Sequence, residues 1–230
     1  RTVVPENFSF RMTDEEYRVL EKIKNSIPVC YLADHADFAL GIVTGNNKKF
    51  LSAEKTEHSE MVLKGTDICK YHINPAKQYL RFEPEQFQQV APLEIYRAPE
   101  KLLYRFISNQ LVVAYDDRQM LSLNSCNIVI PKIDGMQIKY ILAILNSSVS
   151  QFVYQKEFHS IKVLRAHMEH IPIPRVGKAI QNEIIAMTEP LICGMGKEAA
   201  ETCQKRLDCR IMDLFRLSAE EQWIIRHALH

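Results

Sequence analysis

Long apolar runs, clustered cysteines and an excess of either charge are all missing from this chain, and each absence removes a class of function. No stretch reaches the roughly 18 consecutive apolar residues that a membrane span needs, and the N-terminus lacks the basic-then-apolar order of a secretory signal. The expectation is a soluble, cytoplasmic protein with no membrane partner. The six cysteines (Cys30, Cys69, Cys126, Cys193, Cys203, Cys209) lie far apart and form no C-x-x-C pair. They read as reduced thiols, mostly packing residues, and not as a disulfide framework or a zinc ribbon. The 29 basic and 28 acidic residues leave a formal net charge of +1. That balance names no partner and counts against an isolated, tight nucleic-acid binder.

Catalytic signatures are missing as well. The seven glycines supply one G-x-G, Gly194-Met195-Gly196, which follows a helical pattern instead of a strand and so makes no cradle for a nucleotide cofactor. No Pro-Pro dipeptide occurs, which excludes the Asn/Asp-Pro-Pro-aromatic loop that grips a target amine for methylation. No acidic residue is followed two positions later by lysine, as a common metal-dependent nuclease requires. His167-Met168-Glu169-His170 has neither zinc-enzyme spacing, H-E-x-x-H or H-x-x-E-H, and G-x-S-x-G is absent. The expectation is a chain with no catalytic centre, metal or cofactor of its own.

What is present is globular material, 47% hydrophobic and 25% charged, enough to bury a core. Arg1 in place of Met, followed by Val4-Pro5-Glu6, reads as a linker cut from a longer parent. Thr13-Asp14-Glu15-Glu16 has the S/T-x-x-E spacing of a capping box, so a helix is predicted from there through Tyr17, Leu20 and Ile23 to Pro28. From about Phe38 to Pro131 the apolar runs shorten and turn formers punctuate them, which predicts strands. Thr44-Gly45-Asn46-Asn47, between strands at 39–43 and 49–51, reads as a hairpin tip. Segments 101–107, 111–115, 120–123 and 127–130 are joined too closely for crossover helices, so an antiparallel meander is expected.

After Gly135 the period becomes helical. Ile138, Ile141, Leu142, Leu145, Val149, Phe152 and Val153 form one stripe, predicting a helix of about five turns. Ile171-Pro172-Ile173-Pro174 is extended, further helices are predicted over 181–187 and 197–215, and Ser218-Ala219-Glu220-Glu221 is a second capping box. The fold class is therefore α+β: a curved, mainly antiparallel sheet with an N-terminal helix and a helical C-terminal part. Three units are expected, a linker and helix at 1–37, an α/β core at 38–175 and a helical subdomain at 176–230.

The ordered series of motifs resembles the TaqI-like C-terminal specificity domain family along nearly the whole chain. Gly41-Ile42-Val43-Thr44-Gly45-Asn46-Asn47-Lys48-Lys49-Phe50 is similar to the family's G-I-x-T-G-x-N-x-x-F loop, and Lys64-Gly65-Thr66-Asp67-Ile68-Cys69-Lys70-Tyr71 to its K/R-G-x-D-I-x-x-Y element. Leu111-Val112-Val113-Ala114-Tyr115-Asp116 with 101–105 resembles the central strand pair, Tyr140-Ile141-Leu142-Ala143-Ile144-Leu145-Asn146-Ser147 the Y-L-L-x-L-L-N-S helix, and Ile171-Pro172-Ile173-Pro174 the I-P-I-P stretch. Phe215-Arg216-Leu217-Ser218-Ala219-Glu220-Glu221 is similar to the closing Y-G-L-T-x-E-E cap, departing from the family's usual choices at Arg216 and Ala219.

The resemblance implies a bacterial restriction-modification target recognition domain that reads double-stranded DNA. An S-adenosylmethionine-dependent methyltransferase domain of the same parent chain then flips out and methylates adenine. One extruded base fills a catalytic pocket, so neighbouring bases must be read by something else. Related domains also occur as halves of separate specificity subunits. A rival reading is a protein-interaction module that docks onto the catalytic domain.

A reading surface needs amides at base edges and cations near phosphates. Thr44, Asn46, Asn47, Lys48 and Lys49 supply both at the expected hairpin tip. Lys64, Lys70 and Tyr71 form a second candidate surface, Arg105 and Asn124 a third, and Lys156, Lys162 and Arg165 a possible phosphate track after the long helix.

Overall fold

The computed structural model describes residues 12–158 and 160–229; the linker expected before Met12 lies outside the described residues. In chain order the elements are α1 (Asp14–Asn25), β1 (Val29–Cys30), β2 (Ala36–Ala39), the one-turn α2 (Asn47–Phe50), β3 (Leu51–Ser52), β4 (Ser59–Leu63), β5 (Gln78–Arg81), the one-turn α3 (Leu93–Tyr96), β6 (Lys101–Arg105), β7 (Val113–Asp116), β8 (Leu121–Ser122) and β9 (Cys126–Pro131). There follow α4 (Ile138–Asn146), α5 (Ser148–Glu157), α6 (Arg165–Glu169), β10 (Ile173–Pro174), α7 (Lys178–Ile192), α8 (Lys197–Leu214) and α9 (Ala219–Ala228). The class is α+β, as the sequence predicts.

The strands form two four-stranded sheets, ordered β2-β9-β6-β7 and β3-β5-β4-β8, and a β1-β10 ribbon. All pairings are antiparallel except β4 with β8. Side chains alternate across the first sheet with period two. Leu102, Tyr104, Val113, Tyr115 and Val129 face a helical core shared with α4, α5 and α7 to α9, whereas Leu103, Ala114 and Ile128 face a second core against the other sheet. The first sheet is thus a wall buried on both faces.

Both capping boxes form. Thr13 Oγ1 accepts from the Glu16 amide at 3.2 Å while Glu16 Oε2 accepts from the Thr13 amide at 3.0 Å, and Ser218 and Glu221 repeat the exchange. Other expectations are corrected. The meander is interrupted, because β8 leaves to pair with β4 and β9 returns to the far side of β6. The five-turn helix is two helices broken at Ser147, whose backbone is extended and whose hydroxyl caps α5 through the Ser150 amide. The break frees Asn146 to bracket the open edge of β7, accepting from Val113 N at 3.1 Å and donating to Val113 O at 2.8 Å. No hairpin forms at residues 44–47. Asn46 N-caps α2, accepting from the Lys49 amide, while Ile42 bridges to Leu123 and Val43 to Gln89. All six cysteines are free thiols, but only Cys30 and Cys126 are buried, so packing explains fewer of them than expected.

Arg216 occupies a position with φ +54. The Leu217 amide donates to Met212 O and the Arg216 amide to Asp213 O, the two bonds of a Schellman motif, in which the left-handed residue is usually glycine. This is where the family motif carries glycine and this chain does not. Arg216→Gly is expected to raise stability by roughly 0.5–1 kcal/mol, since the relieved left-handed strain, about 1–2 kcal/mol, exceeds glycine's extra chain entropy, about 0.5–1 kcal/mol; a urea midpoint comparison checks it.

Candidate nucleic-acid interface

The register of the first sheet brings together the C-terminal ends of β2 and β6 and the N-terminal ends of β7 and β9. Five connecting segments meet at that end. Ser125, in the turn before β9, ties three of them: its Oγ accepts from Gly65 N at 2.9 Å and its carbonyl from Phe106 N at 3.0 Å. Asn124 N donates to Ile42 O at 3.1 Å. Residues 106–108 pair with 161–163 through Ser108 N to Ile161 O at 2.9 Å and Val163 N to Phe106 O at 2.8 Å.

Around this knot Asn46, Asn47, Lys48, Asn124, Lys162 and Arg165 are exposed. Lys49 is exposed too, donating to Gln86 Oε1 at 2.6 Å and lying 4.8 Å from the Phe50 ring centre. Among the described residues neither Lys48 nor Lys162 enters an ion pair. Arg165 pairs with Glu169 at 2.7 Å and sits 5.2 Å from the Phe38 ring centre. Lys64 is half-buried, one residue before the Gly65 contact to Ser125. Between 36–40 and 89–95 lies an open cleft of about 650 Å³ that Arg165 also lines. Its two walls are far apart in sequence, so no local pattern announced it.

Thr44, Lys70, Tyr71, Arg105 and Lys156 are each engaged in an internal contact. Thr44 is buried and donates to Asn47 Oδ1 at 2.6 Å. Lys70 donates to the Asn146 carbonyl at the end of α4, and burial lowers its pKa against the pull of Asp208. Tyr71, only 1% exposed, adopts φ +74 so that its amide and carbonyl can bridge Val113 and Tyr115. Arg105 holds the turn below it, donating to Gly65 O at 3.0 Å and Ile68 O at 2.5 Å. Lys156 pairs with Glu16 at 2.7 Å and ties α5 to α1.

The arrangement can grip an anion and present amides, but it concentrates no reactive group. Among the described residues no three His, Cys, Asp or Glu side chains converge on a metal position. His167 Nδ1 accepts from the Leu164 amide and His170 Nδ1 lies 2.6 Å from the Ala166 carbonyl, so both imidazoles serve their own helix turn. Complete burial pushes the Cys126 thiol far above its usual pKa, which leaves it unreactive. No helix among the described residues is long and apolar enough to cross a membrane.

The chain carries a specificity domain, the target-recognition module of restriction-modification systems. Residues 60–173 match the sequence model of the TaqI-like C-terminal specificity domain. No curated protein matches the chain in sequence. Among solved structures, its fold is similar to a chain of an assembled type I restriction-modification system, with TM-score 0.50 and 13% identity over 94% of this chain and 51% of that one. It is also similar to the type IIL restriction-modification enzyme MmeI in complex with DNA, with TM-score 0.56 and 10% identity over 85% of this chain and 35% of that one. The chain thus spans about half the length of one and about a third of the other. At these identities the likeness is one of fold.

Proposed function

We propose that this chain reads a short sequence in double-stranded DNA for an adenine methyltransferase domain of the same parent protein, and that it supplies no catalytic group itself. The observation that carries the reading is the gathering of Asn46, Asn47, Lys48, Asn124, Lys162 and Arg165 on loops and short helices around Ser125 at one end of a sheet buried on both faces. Amides on a fixed frame can match the donor and acceptor pattern of base edges, and the flanking cations can meet phosphates. Residues 38–175 hold this surface, and the helices after 176 are the part that joins the parent. The solved complex of MmeI with DNA supports the assignment at the level of fold.

Changing Lys48 and Lys49 together to Glu tests it. Duplex affinity at low salt is expected to fall at least tenfold, and the slope of log K against log salt to become shallower by about two, one for each lost phosphate contact. Unchanged affinity and slope would favour the interaction-module reading. A second reading, half of a separate specificity subunit, is favoured by the 51% coverage of the type I chain. Methylome sequencing of a host that expresses the intact parent alone decides between them: adenine methylation by the parent unaided requires the methyltransferase in the same chain.

A further inference from the structure

Residues 106–108 and 161–163 form a short antiparallel ribbon that stands at the reading end of the sheet, with Ile107 bridged to Lys162. Its composition is odd for a surface feature. Ile107 is 61% exposed and Ile161 70% exposed, yet neither 106–108 nor 160–164 contains an acid. The pleat of such a pair sends Ile107 out with Lys162 on one face and Ile161 out with Ser108 on the other. A flat protein partner would cover one face and leave the other isoleucine in water. A groove has two walls and covers both.

Resting on the DNA-reading assignment, we infer that this ribbon enters the major groove and that Ile107 and Ile161 select thymine by contact with its C5-methyl group. The major groove is about 12 Å wide and admits a two-stranded ribbon, and the thymine methyl is the one apolar group that its base edges display. Charge argues for the same occupant. Lys162 projects from the ribbon itself and lies 6.0 Å from the Phe106 ring centre, and Arg165 follows three residues later, so the isoleucines approach the duplex between cations suited to its phosphates. Ile107, Ile161 and Leu164 are exposed together on this ribbon and its exit, and basic flanks with no acid on the ribbon fit a polyanion.

The test selects duplexes from a randomised library with the 230-residue chain at low salt. It then titrates the enriched duplex with deoxyuridine replacing each thymidine in turn, which removes one methyl and nothing else. The wild-type chain is expected to lose about fourfold in affinity at one or two of these positions, the value of one buried methyl. The double variant Ile107→Ser, Ile161→Ser, which carries no methyl at either position, is expected to bind the thymidine duplex at least that much more weakly and to ignore the same replacements. An enriched site made of G·C pairs alone, or one in which every thymine can be replaced without loss while Lys48→Glu with Lys49→Glu still abolishes binding, would place the ribbon outside the groove and leave DNA reading intact. If no sequence is enriched and the lysine variant binds random duplex as tightly as wild type, DNA reading itself falls and this inference with it.

Discussion

Asp116→Ala is expected to lower the stability of the chain by about 3–5 kcal/mol, because it strands a lysine inside the protein. Lys101 and Asp116 face each other in the β6–β7 register, both side chains fully buried, with Nζ and Oδ2 2.5 Å apart. Nζ also donates to the Tyr96 carbonyl at 2.6 Å. Burial lowers the Lys101 pKa and Asp116 holds it up; without the carboxylate, desolvation is left as the largest influence, with the Arg97 charge acting in the same direction. Asp116 does more than neutralise, since its two oxygens accept from the Arg118 and Met120 amides at 2.9 Å and so shape the turn into β8. A paired replacement, Lys101→Met with Asp116→Leu, leaves no buried charge and is expected to recover more than half of the loss, the remainder being the two turn bonds. Denaturant midpoints of wild type, single and double variants at neutral pH check this. A loss under 1 kcal/mol for Asp116→Ala would mean that water reaches Lys101.

What the sequence discloses and what it hides divide along the reach of the interactions. The capping boxes at Thr13 and Ser218 are complete within four residues, so they could be read directly. The β6–β7 pairing follows from a connection too short for anything else. The break at Ser147 was invisible because both α4 and α5 bury their apolar stripes in one core, so the helical period runs through it. Asn46 misled for a related reason: an asparagine before a polar tip serves a hairpin or a helix cap equally well, and only the long-range bridges of Ile42 and Val43 decide which forms.

The interface shows the same division. The exposure of Asn46, Asn47, Lys48 and Lys49 follows from a local polar run. Lys70, Arg105 and Lys156 have the same chemistry, yet each is engaged by a carbonyl or carboxylate brought from 37 or more positions away. Lys101, one of the most buried side chains of the structure, carries no local mark that distinguishes it from a surface lysine. Ile107 was missed for the opposite reason, since an aliphatic residue in a strand pattern reads as core until the structure shows nothing lying over it, and Ile161 lies in a segment whose sequence marks no element.

Gly41→Ala is expected to cost about 3 kcal/mol, the upper end of what overpacking a rigid site does, and to weaken DNA binding beyond what the lost stability explains. A Cβ on Gly41 would lie 2.0 Å from the Leu123 carbonyl oxygen and 2.7 Å from that of Cys126. Both are backbone atoms, so no side chain can swing aside. The glycine is held there on its other side as well, its amide donating to Asn127 Oδ1 at 3.2 Å. The 123–126 turn must therefore move away from 41–43, which breaks the bonds joining Ile42 to Ser122 and Asn124 and displaces Ser125, the residue that fastens Gly65 and Phe106. A Cβ on Gly65 would likewise lie 2.5 Å from Ser125 O in the same turn, so the two motif glycines close on one point from two directions. Gly177→Ala is the control, since nothing lies within 4 Å of the added carbon there. Thermal or denaturant unfolding of the two variants, with duplex titration of Gly41→Ala well below its melting point, separates the effects. Full affinity in a folded Gly41→Ala chain would show that the knot around Ser125 does not position the reading loops.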